Sequence, residues 1–199
     1  MTYEYENLYK AQGFSVVCGV DEAGRGPLAG PVFAAAVILP DGLEDIGLND
    51  SKKLTEKKRD ALFDVIKEKA AAWSVASADE KEIDALNILN ATFLAMKRAV
   101  DGLAIRPDIA LIDGNRRPHT GIKEETIIKG DAKSISIAAA SVLAKVSRDR
   151  YMLELDKQYP EYRFAKHKGY PTALHYELIK KYGISPVHRM SFLKTLDKH

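Results

Sequence analysis

The amino-acid sequence predicts an α/β fold, in which helices pack on a central sheet. Segments with strand character and segments with helical periodicity follow one another along most of the 199 residues. Acidic residues also stand at the ends of three predicted strands, and ligand sites of open α/β sheets form at the carboxyl ends of their strands. A chain of this length suits one domain of ordinary size, so we expect a single domain over residues 1–199.

The predicted strand from Ser15 to Glu22 is the segment around which the chain is organised. It is apolar and rich in valine, and it ends in two adjacent carboxylates, Asp21 and Glu22. A second apolar run, Val32 to Leu39, follows a short connection that contains glycine and proline. Such runs are typical of buried strands, and the short connection predicts an antiparallel hairpin.

The connection contains Gly24-x-Gly26, a spacing that also occurs in dinucleotide-binding turns. That function requires a helix to begin at the glycines, so that the helix N-terminus can hold a pyrophosphate. Two prolines and a strand-like run follow these glycines instead, which argues against a dinucleotide site.

The rest of the chain alternates helices with strands after a polar leader, Met1 to Gln12, to which no element is assigned. Polar capping residues precede the amphipathic stretches, as is typical of helix N-termini. The predicted helices extend from Thr55 to about Ala71, from Glu80 to Leu86, from Asn87 or Asn90 to about Gly102, from Ser134 to about Gln158 and from Ala173 to Tyr182. The further predicted strands are Trp73 to Ala78, Ile109 to Asp113 and Glu125 to Lys129.

Composition restricts the function without identifying it. The hydrophobic share of 46% and the charged share of 29% are typical of a soluble globular protein, and a net charge of +2 does not by itself indicate a nucleic-acid binder. The single cysteine, Cys18, excludes a disulfide within the chain. We expect a cytoplasmic protein, because no signal-peptide pattern and no apolar run of about 18 residues is found.

Four carboxylates at three predicted strand ends indicate a metal site. They are Asp21, Glu22, Asp113 and Asp131. Neighbouring strands would bring these groups together, and their mutual repulsion would call for divalent metal ions. Ligation by oxygen alone selects Mg²⁺ or Mn²⁺ over Zn²⁺, and two such ions about 4 Å apart serve phosphodiester chemistry in nucleases and polymerases.

Other interpretations of these acids stay open at this point. Each one alone could be a solvated loop residue, and Asp131 could merely cap the helix that follows it. The strand period also places Asp21 and Glu22 on opposite faces of the sheet. Glu22 therefore shares the site only if the strand ends or bulges there, which Gly24 would permit.

Basic residues in the surrounding loops could hold phosphate groups, although most lysines on a protein surface are simply solvated. The candidates are Arg25, Lys52, Lys53, Lys133, Lys145, Lys166 and Lys168.

Six motifs together resemble bacterial ribonuclease HII, the type 2 ribonuclease H family. They are Val20-Asp21-Glu22-Ala23-Gly24-Arg25-Gly26-Pro27, Asn49-Asp50-Ser51-Lys52-Lys53-Leu54, Ile112-Asp113-Gly114, Lys129-Gly130-Asp131, the run from Ile137 to Lys145, and His167-Lys168-Gly169-Tyr170-Pro171-Thr172. The resemblance extends from about residue 15 to Phe192. Any one motif alone would be weak, but the ordered set is specific.

The resemblance implies a ribonuclease H-like fold: a mixed five-stranded sheet flanked by helices, with a helical C-terminal part from about residue 160 that completes the substrate cleft. It implies a Mg²⁺- or Mn²⁺-dependent endonuclease that cleaves RNA in RNA/DNA hybrids. It also implies incision on the 5′ side of ribonucleotides embedded in duplex DNA, which leaves 3′-hydroxyl and 5′-phosphate ends. Nucleic acid is the implied partner, no membrane is involved, and a monomer is expected.

The same resemblance assigns roles to particular residues. The implied catalytic metal ligands are Asp21, Glu22, Asp113 and Asp131. The backbone of Gly24-Arg25-Gly26 would read the ribose 2′-hydroxyl, Tyr170 would stack on the neighbouring deoxyribose, and Lys52 would contact the substrate.

Two functions from other classes compete with this one. A non-catalytic nucleic-acid-binding module on the same fold would tolerate loss of the acids, and all four are retained. Another two-metal enzyme, such as a DNA nuclease or recombinase, is less well supported, because Gly24-Arg25-Gly26 and Tyr170 favour cleavage that depends on RNA.

Overall fold

A computed structural model describes residues 3–43, 47–48 and 55–194, and its centre is a five-stranded sheet. The strands are β1 (Val17–Ala23), β2 (Val32–Ile38), β3 (Ala72–Ala78), β4 (Ile109–Asp113) and β5 (Lys123–Ile127). Their order across the sheet is β3-β2-β1-β4-β5. The strands β1, β2 and β3 pair antiparallel, whereas β4 runs parallel to both β1 and β5. The predicted hairpin and the predicted mixed sheet are both confirmed.

Seven helices surround this sheet within the described part of the chain. They are α1 (Glu4–Ala11), α2 (Glu56–Lys69), α3 (Glu80–Leu86), α4 (Ile88–Asp101), α5 (Ile135–Gln158), α6 (Phe164–His167) and α7 (Ala173–Tyr182). Helix α4 packs on one face of the sheet, and α5 and α2 pack on the other. Strand β2 shows the two faces, because Ala34 and Ala36 contact the α4 core and Ala35 and Val37 contact the α5 core. This is a three-layer α/β sandwich.

Helix α5 lies unusually close to the central strand. A Cβ atom added at Gly19 in β1 would lie 2.1 Å from the main-chain carbon of Ser136. The first half of α5 is also rich in alanine, and Ala138, Ala139 and Ala140 are fully buried. Small side chains on both elements therefore let the helix backbone approach the sheet backbone, as the serine- and alanine-rich sequence predicts.

The helix caps agree with the sequence patterns. The side chain of Thr55 accepts a hydrogen bond from the amide of Lys58 at the start of α2. Of the two asparagines predicted as alternatives, Asn87 is the cap of α4, and its Oδ1 accepts from the amides of Leu89 and Asn90. Asn87 holds a φ of 68°, a conformation that asparagine tolerates better than most residues.

Two boundary predictions are wrong. The polar leader contains α1, which Glu6 ties to the N-terminus of α5: its Oε1 accepts from the Ser134 hydroxyl at 2.6 Å and from the Ser136 amide at 3.0 Å. Strand β5 lies two residues earlier than predicted, because Lys129 adopts a left-handed conformation (φ 57°) that starts a 3₁₀ turn over Gly130–Ala132. Helix α1 is held by residues far along the chain, and the end of β5 is set by one unusual backbone angle. A local sequence pattern shows neither.

The C-terminal part packs around a cluster of aromatic and imidazole rings. Its elements are α6, α7 and the 3₁₀ turns Pro160–Tyr162 and Met190–Phe192. The ring cluster consists of Tyr162, Phe164, His167, His175 and His188. The rings of His167 and His175 stack at 4.2 Å between centroids. Among the described residues, no helix is long and apolar enough to cross a membrane.

The contact at Gly19 generates a test of the fold. Gly19→Ala should lower the free energy of unfolding by about 3 kcal/mol, because the new methyl group meets main-chain atoms that cannot move without displacing α5. Gly13→Ala is the control: the added Cβ meets nothing, although φ is +95°, so the loss should be only about 1 kcal/mol of backbone strain. Urea unfolding of both variants measures the difference, and equal losses would contradict a close helix–strand contact.

Candidate active site

The site is built where two parallel strands end side by side. Strands β1 and β4 pair with Val20 opposite Ile112, so the next residues, Asp21 and Asp113, are neighbours at the carboxyl ends of the strands. Both carboxylates belong to the α5 face of the sheet, because Val20 and Ile112 point into the α4 core and successive side chains alternate. The predicted meeting of the first two strand ends is therefore present.

Asp21 is a buried carboxylate with only 5% of its surface exposed. Its Oδ1 accepts the amide of Glu22 at 2.7 Å, and the hydroxyl of Ser141 on α5 donates a further hydrogen bond. Burial raises the pKa of Asp21 well above its usual range, and the neighbouring charges of Glu22 and Asp113 raise the pKa further. The folded chain thus holds this carboxyl group in surroundings that favour either a proton or a bound cation.

Asp113 connects the strand ends to the turn that carries Asp131. Its Oδ1 accepts the amide of Gly130 at 2.6 Å and lies 3.4 Å from the amide nitrogen of Asp131. Asp131 is only 3% exposed and lies in the 3₁₀ turn rather than directly after a strand. It does not cap α5, because Ser134 does so, accepting the amide of Ile137 at 3.2 Å. The side chain of Asp113 therefore fixes the backbone of the turn that carries Asp131.

No bulge moves Glu22 to the sheet face of Asp21. The pairing of β1 with β2 continues regularly through Glu22 opposite Ala34 and Ala23 opposite Phe33, where the strand ends. Burial raises the pKa of Glu22; nearby Arg25 lowers it, and Asp113 raises it again. The Arg25 guanidinium lies 3.4 Å from Glu22 Oε1. Glu22 thus belongs to the opposite sheet face but interacts electrostatically with the acids across the strand end.

The donor chemistry of the cluster fits a hard divalent cation. Asp21, Glu22 and Asp113 offer carboxylate oxygens, and burial with mutual repulsion raises the pKa of Asp21 and Glu22. Within residues 3–43, 47–48 and 55–194, no three acidic, histidine or cysteine side chains already form a metal-binding group. A cation bound here would have to draw the carboxylates together.

The turn after β1 is held by a buried arginine. Arg189 donates from Nη2 to the carbonyl of Gly24 at 2.7 Å, from Nη1 to the carbonyl of Arg25 at 3.0 Å, and from Nε to the carbonyl of Gly30 at 2.8 Å. In a planar trans peptide the C=O and the following N–H point in opposite directions. The amides of Arg25 and Gly26 therefore point away from the guanidinium, on the side where both residues are exposed.

A second buried arginine supports the same turn from α5. Arg148 donates to the carbonyls of Ala29, Pro31 and Lys168 at 3.0–3.2 Å. Gly24 has a φ of +95°, and a Cβ atom there would lie 2.0 Å from Nε of Arg148. Gly24 is thus required twice, for its left-handed backbone and for the space that Arg148 occupies.

Tyr170 lies beside this turn with its side chain partly in solvent. It is 39% exposed, and a Cβ atom at Gly26 would lie 3.8 Å from Tyr170 Cε1. The Arg148 guanidinium and the Lys145 ammonium lie 5.7 and 5.9 Å from the ring centroid. The ring is therefore presented next to the Gly24–Gly26 turn, in a positive environment.

Two clefts adjoin Glu22. One, of about 360 Å³, is lined in part by Arg25, Phe93, Asp113 and Arg116. The other, of about 370 Å³, is lined by Ala23, Gly24, Arg59, Ser141, Val142, Lys145 and Tyr170 as well as Glu22. Each cleft combines basic side chains with an aromatic ring, a composition that suits a phosphate-bearing chain on either side of the acids. The predicted motif Asn49 to Leu54, with Lys52 and Lys53, lies outside the described residues.

Similarity to known proteins extends over most of the chain. The family model described as Ribonuclease HII matches residues 18–195. A ribonuclease HII of Caldicellulosiruptor bescii is 56% identical over 194 residues, covering 98% of this chain and 94% of the relative. The chain belongs to the ribonuclease HII family.

Solved structures agree with the family assignment. Ribonuclease H2 from Pyrococcus horikoshii OT3 superposes with a TM-score of 0.77 at 31% identity, covering 92% of this chain and 96% of that structure. Bst-RNase HIII in complex with Mn²⁺ has a TM-score of 0.70 over 92% of this chain and 68% of its own length, and at 19% identity it shares the fold alone. The ribonuclease HII chain is thus a ribonuclease H endonuclease built on a ribonuclease H-like fold.

Two residues of this ribonuclease HII chain were not predicted as part of the site, Arg148 and Arg189. Their function is to hold main-chain carbonyls, which composition and motif spacing do not reveal. A signal for Arg148 existed: it stands in a row spaced by three or four residues whose other members are all buried, namely Ala140, Ala144, Met152 and Leu155. An arginine on the apolar stripe of a helix needs buried acceptors, and here they are carbonyl groups.

Asp21→Asn should stabilise the metal-free ribonuclease HII chain while it abolishes cleavage. Because the folded-state pKa of Asp21 is raised, its ionised form opposes folding at pH 7, and that cost is relieved only when the pH falls far enough to protonate the carboxyl group. Asparagine removes the charge and keeps one acceptor oxygen, so the free energy of unfolding in EDTA should rise by about 1 kcal/mol. Urea unfolding at pH 7 measures the stability, and a cleavage assay measures the activity. A loss of stability would contradict the cost assigned to the buried charge, and undiminished cleavage would show that Asp21 is not needed for catalysis.

Proposed function

We propose that this ribonuclease H endonuclease depends on a divalent metal ion, incises duplex DNA on the 5′ side of an embedded ribonucleotide, and cleaves the RNA strand of RNA/DNA hybrids. The products carry 3′-hydroxyl and 5′-phosphate ends. The observation that carries the proposal is the adjacency of three parts. Buried Asp21 and its neighbour Asp113 lie at the strand ends, the turn Gly24–Gly26 presents its amides outward beside them, and Tyr170 borders that turn.

The residues that would hold the metal are Asp21 and Asp113, with Glu22 and Asp131 as further ligands. Mg²⁺ and Mn²⁺ both accept such an all-oxygen set. When bound, divalent ions in nucleases polarise the scissile phosphate and lower the pKa of a bound water. The chain itself contributes the fixed backbone at Asp131, through the hydrogen bond from Gly130 to Asp113, and the hydrogen bond from Ser141 that orients Asp21.

The substrate-reading elements are the turn and the ring. The outward amides of Arg25 and Gly26 can donate to a ribose 2′-hydroxyl, the group that distinguishes RNA from DNA at a single position. The ring of Tyr170, packed against the next sugar, would leave no room for a second 2′-hydroxyl. The pair would thus select a junction from ribonucleotide to deoxyribonucleotide.

We further infer that residues 160–194 complete the substrate cleft of one catalytic domain and that the chain acts as a monomer. Arg189 and Tyr170 both belong to this part, and each contacts or borders the Gly24–Gly26 turn. Lys52 is retained as a proposed substrate contact on its motif alone.

The experiment that tests the proposed activity uses a labelled DNA duplex with one ribonucleotide. With Mg²⁺ or Mn²⁺ we expect a single incision on its 5′ side, and with EDTA no product. An all-DNA duplex of the same sequence is the control and should stay intact. Cleavage of the all-DNA duplex would favour a DNA nuclease, and binding without cleavage under either metal would favour a non-catalytic binding module.

Tyr170→Ala should impair incision at a single embedded ribonucleotide about tenfold or more, and cleavage of a long RNA/DNA hybrid less. The reason is that the ring packs against the deoxyribose of the junction substrate and helps to hold it, whereas in a long hybrid the next sugar carries a 2′-hydroxyl for which the ring leaves no room. Tyr170→Phe keeps the ring and should retain most of the selectivity, which separates packing from the phenol hydroxyl. The ratio of kcat/KM for the two substrates is the measurement, and equal losses on both would contradict junction reading.

A further inference from the structure

The main-chain carbonyl of Tyr170 is the end of a buried chain of hydrogen bonds. Nδ1 of His175 lies 3.0 Å from this carbonyl, and Nε2 of His175 lies 3.0 Å from Nε2 of His188. Nδ1 of His188 accepts from Ser185, 2.7 Å from its hydroxyl oxygen and 3.1 Å from its amide nitrogen. These hydrogen bonds therefore connect three segments of the C-terminal part, to which the four residues belong.

The hydrogen-bond partners of His175 and His188 determine which nitrogen of each imidazole ring carries the hydrogen. A carbonyl can only accept, so the hydrogen of His175 is on Nδ1 and its Nε2 accepts. The facing Nε2 of His188 must then carry a hydrogen, which leaves Nδ1 of His188 as the acceptor for Ser185. Every ring nitrogen is satisfied, in one direction only, from Ser185 to Tyr170. Both imidazoles must be neutral for this to hold.

Burial keeps the two rings neutral. His175 is 0% and His188 is 2% exposed, and burial lowers the pKa of each to about 4. Two ionisable groups of the described residues face these rings: His167 of α6 stacks on His175, and the ring centroid of Tyr162 lies 5.0 Å from that of His188. The charge of Asp156 in α5 raises the pKa of His167, and the charge of Lys168 lowers it. A proton added to Nε2 of His175 would face the N–H of His188 at 3.0 Å, and one added to Nδ1 of His188 would face the N–H of Ser185 at 3.1 Å.

His188 also stands next to the residue that holds the turn. Arg189 donates to the carbonyls of Gly24 and Arg25, and its own amide donates to the carbonyl of Leu28 at 2.8 Å. The amide of Leu28 donates in turn to the carbonyl of Gly169 at 2.8 Å. Adjacent side chains of one segment therefore reach the two substrate-reading elements, the Gly24–Gly26 turn and Tyr170.

We propose that His175 and His188 are positioning residues that hold Tyr170 at a fixed distance from the Gly24–Gly26 turn and thereby set the preference for an RNA-to-DNA junction. This rests on the proposed function. Neither ring touches the substrate. They act through the peptide of Tyr170, whose displacement would misplace the ring against the sugar.

The first test is spectroscopic and independent of activity. In the full chain labelled with ¹⁵N on histidine, long-range nitrogen–proton correlation at pH 7 should show His175 as the Nδ1–H tautomer and His188 as the Nε2–H tautomer. Any other tautomer, or a charged ring at pH 7, overturns the proposal. If the wild-type chain fails to incise an embedded ribonucleotide, the proposed function fails while this measurement still decides the hydrogen-bond direction.

The second test compares two variants of one residue. His175→Leu removes the donor to Tyr170 and should lower kcat/KM for the single-ribonucleotide duplex about tenfold, with a smaller loss on a long hybrid. In His175→Asn the side-chain amide nitrogen takes the place of Nδ1, so the selectivity should largely return. Leu178→Ala is the control for destabilisation, because Leu178 is buried in the same helix but takes no part in the hydrogen-bond chain. This variant should leave the ratio of the two activities unchanged.

The pH profile completes the test. The wild-type ratio of junction incision to hybrid cleavage should stay constant from pH 8 to pH 6, because both rings remain neutral in that range. Taking the ratio cancels effects of pH that both substrates share. A ratio that changes around pH 6.5, or a His175→Leu variant with unchanged selectivity, overturns the positioning role; if that variant does not fold, the wild-type profile, the tautomers and His175→Asn still decide.

Discussion

The close contact between α5 and β1 is the constraint on which the rest of the site depends. At Gly19 the helix backbone touches the strand backbone, and from there the two elements run in the same direction. Gly19 to Gly24 spans about 17 Å of strand, and Ser136 to Arg148 spans about 18 Å of helix. The equal lengths keep the two elements in phase, so Ser141 meets Asp21 and Arg148 meets Gly24.

The two buried arginines fix the geometry of the turn at a cost to the stability of the fold. Burial lowers the pKa of Arg189 to about 9, which is the physical sign that its charge is held at a cost, although the group is still protonated at pH 7. Its partners are neutral carbonyl groups, and the negative charges that act on it include those of Glu80 and Asp84. An apolar residue would cost less to bury. Only a planar fork of donors, however, can fix several peptide groups of one turn at once.

The sequence reveals those parts of the molecule that depend on local chemistry. The hairpin of β1 and β2, the helices Glu80–Leu86 and Ala173–Tyr182, and the neighbouring acids Asp21 and Asp113 all follow from apolar runs, caps and strand ends. The position of Glu22 shows the limit, because the strand period is correct and the bulge invoked to overcome it is absent. Burial and side-chain length bring Glu22 within electrostatic reach, and neither can be derived from spacing.

Residues that bind main-chain groups far away in the sequence cannot be recognised from sequence patterns, for a different reason. Glu6 contacts Ser134, Arg189 contacts Gly24, and each pair is more than 120 positions apart. Their acceptors and donors are partly main-chain groups, which every residue carries, so no residue pattern marks the partner. The family motifs identify the segments containing Tyr170 and Gly24, but they give no reason why these segments are near each other.

Junction selection would make strict demands on that distance. A 2′-hydroxyl differs from a hydrogen by a single heavy atom, so a ring that rejects it must be held to within about 0.5 Å. Tyr170 is 39% exposed and stands on a turn, a place where backbone motion is ordinarily large. The hydrogen bond of 3.0 Å from the buried neutral imidazole of His175 to the Tyr170 carbonyl would oppose that motion without adding charge next to the phosphates. The imidazole rings of this cluster would thus supply the rigidity that an exposed side chain needs in order to select a junction.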